Sequence, residues 1–188
     1  MRESHLNIQE FLEFMYEGKK VRLRPLERKH LAQCVDWLND EEITEHLPAS
    51  EPLSLEEEQR WYDNLLRDDS RKIFVIETLE GEHIGNVGLE NINLHSRKAE
   101  LGIFIGKKDM WGKGYGKEAV VLALELAFET LNLNKVYLHT FTSNKRAQQC
   151  YEKVGFSKEG VLRQDSFRRG KYQDCIVYSI LAEEYFKH

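Results

Sequence analysis

The sequence predicts a single mixed α/β (α+β) domain built on a largely antiparallel sheet of about seven strands, flanked by about four helices. Three observations lead there. The 188 residues are 41% hydrophobic and 31% charged, with only 3 prolines, which suits one folded domain and excludes a disordered, collagenous or low-complexity chain. No internal repeat and no Pro/Gly/Ser-rich linker divides the chain. Alternating and helix-spaced apolar patterns follow one another along it, with turn signals between several of the strand-like segments.

Residues 1–18 read as an N-terminal extension, with Ile8, Phe11, Leu12 and Met15 at helical spacing; Met15 is an alternative start. The domain proper is 19–188. Val21, Leu23 and Leu26 flank Arg22 and Arg24 in an alternating strand that Pro25 ends. Leu31, Val35 and Leu38 recur at helical spacing, and Leu55 to Leu66 reads as a second, acidic helix. Strands at Ile73–Thr78 and Ile84–Leu89 are joined through Glu80-Gly81-Glu82, a hairpin signal. A third, Ala99–Ile105, follows the turn at His95-Ser96; its nearly continuous apolar run marks it as central and buried. A long helix is expected over Gly116–Thr130, with Val120, Val121, Leu124, Ala127, Phe128 and Leu131 on one stripe. Lys135–Thr140 is a strand, and Asn144 caps a helix carrying Ala147, Cys150, Tyr151 and Val154. Two closing strands, about Ser157–Arg163 and Tyr172–Leu181, flank Arg169-Gly170-Lys171.

Composition narrows the function. The longest apolar run, Ala119 to Leu124, is too short to span a bilayer, and no secretory signal is expected at the start. Three cysteines without a CxxC pair point to reduced thiols and a cytoplasmic setting. Seven scattered histidines show no ligand spacing, so no metal site is expected. A net charge of −5 disfavours nucleic acid as a partner. That charge is polarised: Asp40 to Asp69 carries eleven acids against two bases, whereas Phe141 to Tyr172 carries eight bases against three acids. The pattern reads either as two solvated helix faces or as a cationic acceptor entering from the first segment and an anionic partner held by the second.

The chemistry concentrates at Trp111-Gly112-Lys113-Gly114-Tyr115-Gly116, between a strand and a long helix. Alternating glycines let backbone N–H groups turn toward a ligand, and a helix N-terminus adds unpaired donors. Together they form an anion nest suited to a pyrophosphate, to which Lys113 and Lys117 can add charge. The spacing matches neither the dinucleotide fingerprint nor a P-loop.

At this point the sequence resembles a known family. Trp111 to Gly116 is similar to the acetyl-CoA pyrophosphate motif of the Gcn5-related N-acetyltransferases (GNAT family). Asn144, Ala147, Tyr151, Gly155 and Phe156 resemble its second signature. Glu100-Leu101-Gly102, Gly160 and Gly170-Lys171-Tyr172 resemble the branch containing ribosomal-protein N-terminal and bacterial spermidine acetyltransferases. The resemblance covers about residues 20–186, with one departure: Trp111 stands where many relatives carry Arg or Gln.

The resemblance implies acetyl-CoA as co-substrate and a V-shaped splay between the strands at Ala99–Ile105 and Lys135–Thr140. The pantetheine arm would lie there against backbone N–H groups of Phe104 and Ile105, which would also polarise the thioester carbonyl. Trp111, Gly112, Lys113, Gly114, Tyr115, Gly116 and Lys117 would hold the phosphates, and Asn144 would add a polar contact beside its capping role. Tyr151 is the expected proton donor to the leaving thiolate, although its apolar stripe alone reads as core. Glu100, interrupting an apolar strand, is the candidate base, through water; an outward-facing strand residue is the alternative. Glu41, Glu42 and Glu45 read as solvated singly but can together receive a cationic acceptor. Cys150 lacks a partnering histidine and is not expected to act as a nucleophile, and His139 and His95 read as structural or exposed.

The leading reading is direct transfer of acetyl from acetyl-CoA to a primary amine in a ternary complex, the amine being a polyamine, a protein N-terminus or another small amine. A catalytically weak acyl-CoA-binding module is the alternative. A homodimer without membrane or nucleic-acid partners is expected.

Overall fold

The computed structural model describes residues 16–48 and 51–187. One seven-stranded sheet organises them, in the order β1-β2-β3-β4-β5-β7-β6. The strands are β1 Val21–Pro25, β2 Lys72–Thr78, β3 His83–Asn93, β4 Lys98–Ile105, β5 Lys135–Phe141, β6 Ser157–Arg168 and β7 Lys171–Leu181. Every neighbouring pair is antiparallel except β4 and β5. The helices are α1 Leu31–Leu38, α2 Leu55–Leu65, α3 Tyr115–Glu125, α4 Lys145–Val154 and the short α5 Ala182–Tyr185. The predicted fold class is the one observed. The helical pattern at Ile8–Met15 lies outside the described residues.

Local chemistry accounts for the elements that frame the site. In β1, Val21 and Leu23 are buried while Arg22 and Arg24 point outward. Ser54 caps α2 reciprocally: its hydroxyl accepts from the Glu57 N–H at 3.2 Å, and the Glu57 carboxylate accepts from the Ser54 N–H at 2.9 Å. Asn144 caps α4 as predicted, its Oδ1 accepting from the Ala147 N–H at 3.1 Å. Gly155, at φ 109°, ends that helix.

Four expectations need correcting. The helix expected to run unbroken to Thr130 changes after Glu125 into a π-helical turn over Leu126–Thr130, closed by the Leu131 N–H donating to the Leu126 carbonyl at 2.9 Å. Val121 is exposed; the buried positions wrap more of the helix than one stripe, because α3 is covered by the sheet and by α4. The strand at Ala99–Ile105 is central, yet Ile103, Phe104 and Ile105 are only half-buried. Their neighbour β5 pairs with β4 only at Lys98–Lys135, Ala99–Val136 and Glu100–Tyr137, and then departs. β6 also runs five residues past the expected Arg163, through a register shift between Leu162 and Ser166 where Gln164 takes φ 53°.

The start of α3 is braced from behind. The Glu118 carboxylate accepts backbone N–H bonds from Lys19, Lys20 and Val21 at 2.9, 2.7 and 2.9 Å. The Lys20 ammonium donates to the Lys113 carbonyl at 2.7 Å. Glu118→Ala leaves three donors without this acceptor and is expected to lower stability by about 2 kcal/mol, measured by urea unfolding. An unchanged midpoint would refute the brace.

Candidate active site

Because β4 and β5 separate after Glu100–Tyr137, a cleft of about 770 Å³ opens between them. Side chains alternate across the sheet, so its two walls differ. On one face Ile103 and Ile105 meet the first turn of α3 at Gly116, and α4 packs beside α3. On the other face Phe104 meets Trp37 of α1, edge to ring at 6.1 Å between centroids. The loop carrying Glu42, Ile43, His46, Leu47 and Pro48 closes that side.

The glycine motif forms a cradle at the mouth on the α3 side. Gly112 and Gly114 both occupy the left-handed region, at φ 73° and 89°, and Gly114 is the residue before α3 begins. A Cβ on Gly112 would meet nothing within 4 Å, so its face is open. Consecutive N–H groups in such a turn, followed by a helix N-terminus, converge on an anion. The Trp111 indole N–H donates to the Ile105 carbonyl at 2.8 Å, which fixes the cradle to the end of β4. Above the same ring lies the Arg146 guanidinium, 4.2 Å from its centroid. Lys117, Arg146 and Lys153 line this half of the cleft. The side chain of Lys113 does not, and Tyr115 packs instead against the hydrophobic core.

The N–H groups of β4 sort by alternation. The Gly106 N–H donates to the Ile84 carbonyl at 2.9 Å, so Phe104, two residues earlier, directs its N–H toward β3. Ile103 and Ile105 direct theirs toward the cleft. The expectation named two adjacent residues, but a strand offers alternate ones.

Tyr151 lies at the floor of the cleft from the α4 side, 8% exposed, with Phe156 and Tyr178 rings around it. Its hydroxyl has no hydrogen-bond partner among the described residues, and burial pushes the phenol well above its ordinary value, so it stays protonated. Beside it, burial also raises the Cys150 thiol.

The opposite face presents a polar cluster. Glu100 Oε1 is 2.7 Å from His139 Nδ1, and Glu100 Oε2 accepts from Asn91 Nδ2 at 3.0 Å. The Tyr137 ring stands edge-on to His139 at 5.8 Å, its phenol pushed up by burial and by the Glu100 carboxylate. Glu42, Glu90 and Asp165 add carboxylates to this half of the lining. Of the three acids singled out in the loop, only Glu42 lines the cleft, its carboxylate 2.7 Å from the Lys108 ammonium. Glu41 faces Arg169 at 3.3 Å.

Sequence reasoning did not single out Arg146 or Ile103 and read His139 as structural or exposed; the structure places all three on the cleft wall. Period two along β5 puts His139 on the same face as Tyr137, but that Tyr137 is the register partner of Glu100 is visible only in the structure.

Comparison with known proteins bears on this geometry. Residues 20–157 match the family model described as an acetyltransferase (GNAT) domain. The chain belongs to the GNAT acetyltransferase family. A spermidine N(1)-acetyltransferase of Vibrio cholerae is 34% identical over 168 residues, covering 89% of this chain and 96% of that one. The Escherichia coli spermidine N(1)-acetyltransferase is 34% identical over 171 residues, 91% of each. A crystal structure of the V. cholerae spermidine N-acetyltransferase in complex with CoA and spermine superposes with a TM-score of 0.85, covering 90% of this chain and 99% of that one. This GNAT enzyme is therefore an acetyl-CoA-dependent N-acetyltransferase acting on a primary amine. The open glycine face and the basic residues around it fit an acyl-CoA co-substrate.

Among the described residues no helix is long and apolar enough to cross a membrane, and no group of side chains is placed to hold a metal ion. With the Cys150 thiol raised, little thiolate exists at neutral pH. Mixing this acetyltransferase with acetyl-CoA in the absence of amine is expected to give no stoichiometric burst of free CoA. A burst equal to the enzyme concentration would establish an acetyl-enzyme.

Proposed function

We propose that this GNAT enzyme acetylates a primary amino group of a polyamine of the spermidine class. The observation that carries the reading is the asymmetry of the cleft: basic side chains surround the cradle, while Glu42, Glu90, Glu100 and Asp165 line the other half. A chain with several ammonium groups needs carboxylates spaced along its path, and an acyl-CoA needs cations at its phosphates. The names of the V. cholerae and E. coli relatives agree with that acceptor.

In this reading Gly112, Gly114 and Gly116, with the backbones of Trp111, Lys113 and Tyr115, hold the pyrophosphate. Lys117 adds charge there. Arg146 supplies the cation that Trp111 does not. The pantetheine arm lies along β4 between Phe104 and Ile105, with the Ile105 N–H toward the thioester, and Asn144 contacts the arm through its free amide nitrogen. Tyr151 protonates the leaving sulfur. Glu100 serves the base side from its cluster with His139 and Asn91. The catalytic domain is 19–188 with a preceding extension, and the enzyme works in the cytoplasm, in keeping with its three free cysteines. It acts as a homodimer, for which Phe167 and Tyr172, exposed and packed ring to ring at the end of the β6–β7 hairpin, offer apolar surface.

The test is CoA release from acetyl-CoA with spermidine and, in parallel, with a short peptide bearing a free N-terminus. Turnover with spermidine alone is expected; turnover with the peptide alone would replace this acceptor by a protein N-terminus. Tyr151→Phe is expected to lower kcat with spermidine roughly 10²-fold while leaving the KM for acetyl-CoA unchanged. Undiminished kcat would remove the donor role.

A further inference from the structure

We infer that His139 Nε2 accepts the proton that the acceptor ammonium must lose, and that Glu100 is the residue that positions it. The inference deepens the assignment of amine acetylation and rests on that reaction, not on the polyamine as acceptor.

The argument starts from what Glu100 has left to offer. One carboxylate oxygen faces His139 Nδ1 at 2.7 Å and the other accepts from Asn91 Nδ2 at 3.0 Å. A carboxylate only accepts, so the hydrogen bond places the imidazole proton on Nδ1. Nε2 then carries the lone pair. It has no hydrogen-bond partner among the described residues, and the His139 side chain is 35% exposed on the cleft wall. Tyr137, edge-on to the ring, limits its rotation. His139 lies two residues beyond Tyr137, in the part of β5 that has already left β4, so Nε2 borders the gap itself.

Proton affinities favour the imidazole. An aliphatic ammonium loses its proton near pH 10 and a carboxyl group near pH 4, a gap of about six units, whereas an imidazole ordinarily titrates near 6.5. Transfer from ammonium to imidazole is thus less uphill by about two units, and the imidazolium formed sits against the Glu100 carboxylate. The step balances. An ammonium N–H bond breaks and its proton goes to Nε2 and on to solvent. The neutral nitrogen forms the C–N bond to the acetyl carbon, the C–S bond breaks, and the second proton shed by nitrogen equals the one the sulfur gains through Tyr151.

Other titratable groups share this half of the cleft: Glu100 on β4, Glu90 on β3 with its carboxylate on Arg71, Glu42 and His46 in the loop, and Asp165 on β6. Variants must therefore be compared by pH profile. The assay uses spermidine and the free-N-terminal peptide side by side; wild-type preference decides the acceptor, and the variant ratio on the accepted amine decides the base. His139→Gln is expected to lower kcat/KM for the amine roughly 10²-fold at pH 7, to leave the KM for acetyl-CoA unchanged, and to replace the wild-type acid limb by a rise that follows deprotonation of the amine itself. The deficit narrows toward pH 10, where the amine is already neutral. Glu100→Gln keeps the acid limb that depends on His139, with a smaller deficit. His139→Asn serves as a second variant, with urea unfolding confirming the fold of each. A wild-type acid limb retained in both His139 variants, or a Glu100→Gln deficit exceeding theirs, overturns the assignment.

Discussion

The working parts of this enzyme depend on one incomplete contact. β4 and β5 are the sole parallel neighbours in the sheet, and they remain paired for three residues before separating. Had the ladder continued, the Ile103 and Ile105 N–H groups would be spent on β5 and no substrate could reach them. The Lys98–Glu100 and Lys135–Tyr137 pairs keep the two halves of the sheet joined below the gap. Above it, α3 and α4 cover one side and the Trp111 indole ties the cradle to the last residue of β4. The sheet is continuous enough to bury a common core and open enough to let polar backbone face a ligand.

That arrangement puts the proposed proton donor and the proposed proton acceptor on opposite faces of one sheet. Tyr151 comes from α4 on the face of Ile103 and Ile105, while Glu100 and His139 belong to the face of Phe104. They can act on the same reacting atoms only through the gap. Charge follows the same division, with cations on the face of α3 and α4 and carboxylates on the other. In the proposed reading, co-substrate and acceptor enter from different sides and have no need to pass one another.

How much of this the sequence disclosed depends on the range of the interaction. The seven strands and four main helices were legible from signals inside each segment, a local period in most and a continuous apolar run in β4, and the cradle was legible because Gly112, Gly114 and Gly116 alternate within one short segment. Tyr151 and Asn144 were legible as members of one spaced motif on one helix. The alternation of N–H groups along β4 was not, because it depends on which edge of the strand β3 occupies, a fact outside the segment. His139 was obscured for the same reason: nothing near it in the chain reveals that Glu100, 39 residues earlier, is its partner. Arg146 over Trp111 joins a helix to a distant loop and has no sequence pattern of its own. The end of β6 was misplaced because an exposed edge strand with a bulge shows little hydrophobic alternation.

The stacking of Arg146 on Trp111 has an optical consequence. Trp37 is buried behind Phe104, and Trp61 lies under the Arg71 guanidinium, 5.4 Å from its ring centroid. Among the described residues Trp111 is the tryptophan on the cleft wall. A phosphate arriving at the cradle competes with the indole for the guanidinium, since a cation–π contact is worth only about 0.5–2 kcal/mol and an ion pair with phosphate is charge-assisted. Withdrawal of the cation changes the field across the indole and with it the emission wavelength. Trp111 thereby gives the enzyme an intrinsic fluorophore at the mouth of its cradle.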